Sequence, residues 1–412
     1  MAKKIERNII TGLDIGTSKV VALVGEVNPD GSLQLIGIGR HPSRGLKRGV
    51  VVDIEATVSS IQCAVQEAEL MAGCEVRSVY TGIAGSHIRS LNSHGIVAIR
   101  DTEVSQVDVE RVIDAAKAVA IPADQKVLHI LPQEFIIDSQ GNIREPIGMA
   151  GVRLEARVHL VTGSVSAAQN IAKCVHRCGL ELSDIILEQL ASSHAVLTDD
   201  EKELGVCLVD IGGGTTDIAI FHDGAIQYTA VIPIAGDQVT NDVAMALRTP
   251  SKSAESIKLN YGAAIPEMVG ASQMIEVPSM NERPGRKISS KMLSEVVSAR
   301  YEELFAMVRA ELQRSGYEEL IAAGVVLTGG ASRVNGAIEL AELCFQMPVR
   351  HGAAQNLLGL SDVMDDPSLA TAVGLLLHGY QQQFDIGYGS RSAGDRTVGV
   401  WTRMRKWFNV NF

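Results

Sequence analysis

At 412 residues the chain is long enough for roughly two to four subdomains with substantial cores. Its formal net charge of −11 argues against a nucleic-acid partner, whose binding surface should meet a basic face. Six cysteines without paired spacing, no apolar leader behind Lys3 and Lys4, and no run near ~20 apolar residues predict reduced thiols, an intracellular chain and no spanning segment.

The first elements read as strand, loop, strand. Asn8-Ile9-Ile10 leads into Asp14-Ile15-Gly16-Thr17-Ser18-Lys19, and an apolar run follows at 20–24 before an Asp30-Gly31 turn. The same pattern returns nearly half a chain later. There Val206-Cys207-Leu208 enters Asp210-Ile211-Gly212-Gly213-Gly214-Thr215-Thr216-Asp217, and an apolar run at 218–221 precedes Asp223-Gly224. Glycine lets a backbone approach an anion closely, and freed N–H groups with Thr or Ser hydroxyls can line a concave phosphate site. Lys19 supplies positive charge. Asp14, Asp210 and Asp217 are too acidic to meet phosphate directly, so Asp14 and Asp210 are expected to hold Mg²⁺ through water. Neither loop has the G-x-x-x-x-G-K-[ST] spacing of a Walker A motif. Two matched loops predict two related domains facing one nucleotide.

Between the repeats lie Ser43-Arg44-Gly45-Leu46-Lys47-Arg48-Gly49-Val50-Val51-Val52-Asp53, a strand end at Thr81-Gly82-Ile83-Ala84-Gly85, and an insertion from about 86 to 160. The insertion should carry a helix at 107–119 and strands at 127–131, 135–138 and 157–161. Cys174 and Cys178 flank His176 on a helical stretch with no second ligand pair, a pattern of ordinary thiols rather than a metal site. Beyond the second loop, Ala254-Glu255-Ser256-Ile257-Lys258 has helical spacing, residues 283–287 read as a basic loop, and Arg300 as the start of a helix. A buried strand at 322–327 then enters Thr328-Gly329-Gly330-Ala331-Ser332, whose glycine pair would let a flat ring lie near the backbone.

The tail departs from this pattern. Residues 381–396, with their Gly and Ser, read as a linker. At helical spacing Trp401, Met404, Trp407, Phe408 and Phe412 share one face, opposite Thr402, Arg405, Lys406 and Asn409. Both tryptophans of the chain lie here, and the segment has no acidic side chain. An amphipathic helix usually docks on its own core. A linker, paired tryptophans and basic residues in an acidic chain instead predict binding to anionic lipid, with ~1 kcal/mol from each basic residue.

Asp14-Ile15-Gly16-Thr17, the 210–215 loop and Leu327-Thr328-Gly329-Gly330-Ala331 resemble the two phosphate motifs and the adenosine motif of the actin-like ATPase superfamily. Leu187-Glu188-Gln189-Leu190-Ala191-Ser192-Ser193 and Thr371-Ala372-Val373-Gly374 resemble its two inter-domain helices. The 43–53 segment, the 81–85 strand end, Val231-Ile232-Pro233-Ile234-Ala235-Gly236-Asp237 and the tail resemble the bacterial cell-division family FtsA over nearly the whole chain.

That resemblance implies an α/β actin-like fold: two duplicated α/β domains around a nucleotide cleft, an FtsA-type inserted subdomain and a C-terminal amphipathic helix. The implied divisions are 1–85, 162–195 and 361–380 for the first motor subdomain and 86–161 for the insert. Residues 196–236 and 301–360 form the second motor subdomain, 237–300 its small subdomain, and 397–412 the membrane helix. ATP and Mg²⁺ would occupy the cleft, touching both phosphate loops, Gly236, Gly329, Gly330 and Ala331, with Glu255 and Lys258 on the ribose. Glu188 and Asp210 would orient an attacking water for at most weak hydrolysis. By resemblance, Arg286 and Arg300 would receive the C-terminal peptide of the tubulin homologue FtsZ. The body would self-associate into filaments, recruit later division proteins, and sit on the cytoplasmic face of the inner membrane at the septum. A PilM-like pilus-assembly adaptor or an actin-fold metabolite kinase are the alternatives.

Overall fold

The central strands are apolar on both faces, as expected of strands covered by helices on either side. Ile9–Ile15, Lys19–Val27 and Leu33–Pro42 form an antiparallel meander, and Ser78–Ile83 and Glu181–Leu187 add in parallel beside Ile9–Ile15. The second sheet repeats this arrangement with Val206–Ile211, Thr216–His222 and Ala225–Ile232 as the meander and Val325–Thr328 and Val349–His351 as the parallel pair. The hairpin tips match too: the Gly16 N–H donates to Lys19 O at 3.0 Å, and the Gly212 N–H to Thr215 O at 3.0 Å. Asp14 pairs with Val21, and Asp210 with Asp217. Duplication is therefore present in topology, register and loop closure. The computed structural model describes residues 7–270, 273–280, 285–355 and 358–391, with the side chains of 361–362 and 384–391 outside that description.

Two helices join the sheets. Glu188–Val196 follows the last strand of the first sheet, and Ala370–Arg391 lies across it so closely that a Cβ on Gly374 would stand 1.8 Å from Ala191 O. The second helix runs through the first eleven residues of the stretch expected to be a linker. Gln381, Gln382 and Gln383 favour helix, and extending an existing helix is far easier than nucleating one. Residues 392–412, with the whole tail face from Trp401 to Phe412, lie outside the described residues. Among the described residues no helix is long and apolar enough to cross a membrane.

The insert has its own core, with Ile113, Phe135 and Leu154 fully buried. Its sheet is ordered Arg89–Ala98, Arg153–Ser164, Gln125–Ile137, Gln140–Ile143, with helix Gln106–Lys117 against it. The two strands expected at 127–131 and 135–138 are one, because a bulge accommodates Pro132. Arg157 pairs with Glu134 and Val158 with Pro132, leaving Gln133 as the extra residue. The bulge re-aims Gln133, whose Nε2 donates to Ile226 O at 3.0 Å on the edge strand of the second sheet. Ser90 Oγ donates to Thr229 O, and His159 Nε2 lies 3.0 Å from Thr229 Oγ1. Burial pushes the His159 imidazole down to about 4, so it bridges the two domains in its neutral form.

The second sheet also carries a smaller unit. Helices Gly236–Ala246 and Ser251–Tyr261 stand with a hairpin of Met274–Val277 and Arg286–Ser289, and helix Ser290–Ser315 returns to the sheet. Arg286 and Lys287 thus belong to a paired strand, not a loop. Arg300 lies in the middle of a 26-residue helix that runs across the expected boundary at 300. Polar residues spaced through an otherwise apolar stripe concealed that helix's length.

Candidate functional site

The repeated hairpin tips face each other across a cavity of about 760 Å³. Asp14, Gly16, Thr17, Ser18 and Lys19 line it from one side, and Gly212, Gly213, Gly214, Thr215 and Asp217 from the other. Gly236, Glu255, Lys258, Gly329, Gly330, Ala331, Glu188 and Asp210 complete it. Of the residues expected to bind cofactor, Thr216 alone does not line the cavity. It opens its strand at the position equivalent to Val20, and strand neighbours face opposite ways. Asp217 therefore points in, while Thr216 donates to Ile234 O at 2.7 Å.

Close backbone approach makes glycine necessary here. A Cβ on Gly213 would lie 2.9 Å from Ser18 Cβ, and one on Gly214 2.6 Å from Thr17 Oγ1. Gly329 adopts φ +86°, and a Cβ there would meet Asp210 Oδ1 at 2.4 Å. The amides of Gly213 and Gly214 have no acceptor among the described residues. They suit an anionic ligand.

Acidic groups converge with little compensation. Burial raises Asp14 to about 7 and Asp217 to about 8, with Asp210 adding repulsion to both while Lys19 partly offsets Asp14. Burial also raises Asp210, and raises Glu188 well above the usual carboxylate range, Asp14 adding to the latter. Asp210 Oδ2 accepts from Ser192 Oγ at 2.6 Å and Thr371 Oγ1 at 3.2 Å, both from the joining helices. Asp217 Oδ2 accepts from Thr215 Oγ1 at 3.0 Å, but its buried Oδ1 has no partner among the described residues. Lys19, itself lowered by burial, donates from Nζ to Ser368 Oγ at 2.5 Å. No three His, Cys, Asp or Glu side chains among the described residues converge to hold a metal directly. A ring of buried carboxyls with an orphaned oxygen nonetheless fits a hydrated divalent cation shared with phosphate.

These shifts fix a pH dependence. Asp14 and Asp217 bind protons more tightly folded than unfolded, where carboxyls titrate near 4. Their stabilising contribution is fully present below about pH 4 and is lost as pH rises through 7 and 8. The ligand-free protein should lose thermal stability from pH 5 to 8 through these groups. Mg²⁺ with ATP should then raise Tm more at pH 8 than at pH 6, since binding the cation requires the ionised forms. A Tm gain independent of pH would remove these carboxyls from the cation site.

On the small unit, Lys258 Nζ contacts Glu255 Oε2 at 2.8 Å, Thr240 Oγ1 at 2.9 Å and Gly236 O at 3.1 Å. Glu255 also accepts from Thr240 Oγ1. The pair is thus held at the cavity wall rather than left as a solvated surface pair. Arg300 and Arg286 lie outside the cavity. Arg300 already directs its fork at Asp242, with Nε–Oδ2 at 2.5 Å and Nη2–Oδ1 at 3.1 Å, and also meets Glu303. Arg286 is exposed and donates to Leu247 O. Ser192, Thr371 and Ser368 were missed in the sequence. Ser192 and Thr371 offer a weak signal, a hydroxyl among the small apolar residues of a joining helix, whereas Ser368 sits in the turn Pro367–Leu369 before the second helix and offers none.

The model of the family described as Cell division protein FtsA matches residues 207–374, and that of the SHS2 domain inserted in FTSA matches 85–162. The curated Cell division protein FtsA of Pseudomonas aeruginosa is 62% identical over 417 residues, covering all of both chains. That of Escherichia coli K12 is 45% identical over 420 residues, again covering both chains fully. Among solved structures, a chain of the PilM-PilN type IV pilus biogenesis complex superposes with TM-score 0.65 at 16% identity, over 90% of this chain and 98% of that one. MreB 5 of Spiroplasma citri bound to AMPPNP gives 0.58 at 18% identity, over 92% and 98%. At such identities these structures establish the actin-like ATPase fold alone, so they do not favour the PilM-like alternative. Full-length identity of 62% together with both matched domain models shows that the chain belongs to the FtsA family of cell division proteins.

Proposed function

We propose that this protein is an ATP-binding adaptor that tethers FtsZ filaments to the cytoplasmic face of the inner membrane at the division septum, self-associates, and recruits later division proteins. The carrying observation for the nucleotide is the cavity between duplicated glycine loops, ringed by buried carboxyls. Mg²⁺ would supply neutralising charge between triphosphate and carboxyls. The chain's own groups bind and orient: Lys19 and the 213–214 amides meet phosphate, Asp14 and Asp210 hold the cation's waters, and Glu255 with Lys258 meets the ribose. Glu188 and Asp210 can hold a water near the terminal phosphate, which supports at most slow hydrolysis. The solved MamK double helical filament shares the fold at TM-score 0.50 and 13% identity, in keeping with self-association.

Membrane attachment belongs to Trp401, Met404, Arg405, Lys406, Trp407, Phe408 and Phe412, and FtsZ contact to Arg286 and Arg300 on the small unit. Since Asp242 already engages Arg300, Arg286 is the arginine better placed to receive an incoming carboxylate. The test is co-sedimentation with anionic liposomes, comparing the full chain with one ending at Gly394, with and without Mg-ATP and the FtsZ C-terminal peptide. Only the full chain should pellet, carrying the peptide with it. W407E/F408E should stay in the supernatant, and R286E should pellet without peptide. Equal pelleting of full and shortened chains would overturn the tether.

A further inference from the structure

The segment from Ser43 to Asp53 enters the site by a route unrelated to the repeated loops. Leu46–Lys47 and Val50–Val51 pair as a minimal hairpin whose two turn residues are Arg48 and Gly49. Both have positive φ, +50° and +76°. Such a turn favours Asn-Gly or Asp-Gly, and a long non-glycine side chain there carries strain of about 1 kcal/mol or more. The turn alone gives no reason for an arginine.

Its placement gives one. The Gly49 N–H donates to Thr17 Oγ1 at 3.0 Å, pinning the hairpin tip to the first phosphate loop. On the other side, a Cβ on Gly214 would meet the Arg48 Cα at 2.9 Å, so the tip also abuts the second loop. Arg48 therefore sits in the seam where the two domains' phosphate loops come together, beside the cavity that Gly49 helps to line. The cations that line that cavity are engaged: Lys19 with Ser368, Lys258 with Glu255, and Arg333 with Asp366. Arg48 is exposed and has no hydrogen bond or ion pair among the described residues.

Resting on the nucleotide reading of this cavity, we infer that Arg48 is a substrate-contacting residue that senses the terminal phosphate of a bound nucleoside triphosphate. Base and ribose belong at the end formed by Ala331, Glu255 and Lys258, so the phosphate reaching the seam between the loops is the last one. A guanidinium there matches its oxygens in a bidentate fork and touches both domains' loops at once. A diphosphate leaves that fork empty. The hairpin thus distinguishes triphosphate from diphosphate while joining the two halves of the clamp.

The test is calorimetric titration of the full chain with Mg-ATP, a non-hydrolysable ATP analogue and Mg-ADP. R48A should weaken both triphosphates about tenfold or more while leaving Mg-ADP within about twofold, and R48K should fall between. R48G, which relieves the turn strain but lacks the guanidinium, should behave as R48A, separating charge from turn geometry. Equal weakening of triphosphate and diphosphate, or no change in either, would overturn the inference. A wild-type chain that binds none of the three would overturn the nucleotide reading and this inference with it. Normal wild-type binding with an unselective R48A would overturn the inference alone.

Discussion

Gly374→Ala should destabilise the protein by about 4 kcal/mol or more, although alanine is the better helix former by about 1 kcal/mol. The sign is the informative part. Helix propensity acting alone predicts a gain, whereas packing predicts a large loss. A Cβ at this position would lie 1.8 Å from Ala191 O and 2.3 Å from its carbonyl carbon. Both are backbone atoms, so no side-chain rotation relieves the overlap; the helices must separate. Separation would pull Thr371 and Ser192 away from Asp210, because each helix contributes one of these hydroxyls. Thermal unfolding should therefore show a lower Tm, and Mg-ATP should restore less of it than in the wild type. A Tm equal to or above that of the wild type would show that the joining helices do not cross this closely.

Asp210→Asn should weaken Mg-ATP binding about 10–100-fold without loss of the fold. Asparagine keeps an oxygen for the Ser192 and Thr371 hydroxyls but removes one charge from a ring in which Asp14, Asp217 and Glu188 are all raised by burial and mutual repulsion. Less repulsion means that the ligand-free variant should be at least as stable as the wild type at pH 8, a regime in which the buried charge costs most. Asp210→Ala should lose binding to the same degree, and stability as well, because the buried Ser192 and half-buried Thr371 hydroxyls lose their carboxylate acceptor and keep only each other. Full Mg-ATP affinity in Asp210→Asn would remove Asp210 from cation binding.

The two hairpin loops were legible because their determinants are local. Glycine, aspartate and hydroxyls must follow one another at fixed spacing to make a tight anion-facing turn, and sequence records spacing directly. What sequence does not record is which of two strand neighbours faces inward once the register is set, and Thr216 was misplaced for that reason. Convergence from afar is likewise invisible. Ser192 and Thr371 meet at Asp210 only because helices distant in the chain cross, and Ser368 reaches Lys19 from the turn Pro367–Leu369; the residues beside them do not say which carboxylate or amine they will meet. The small unit shows a third limit. A run of Arg, Pro, Gly and Lys at 283–287 has loop composition, yet Arg286 and Lys287 pair in register with Val277 and Glu276. Pairing partners, not intrinsic preference, decide such short strands. The helix to Arg391 illustrates the reverse case, in which an anchored helix carries residues that would not form one alone.

The insert begins and ends within the first domain but rests, through Ser90, Gln133 and His159, on the outer strand of the second. Two bodies linked by a hinge alone can swing freely; a third point of attachment turns the hinge into a triangulated frame. Any tightening of the cleft must then be shared with the insert, because its three contacts all fall on one strand of the second sheet. A frame braced at three points resists shear that a two-point hinge would allow, so the insert limits how the two sheets can slide past each other.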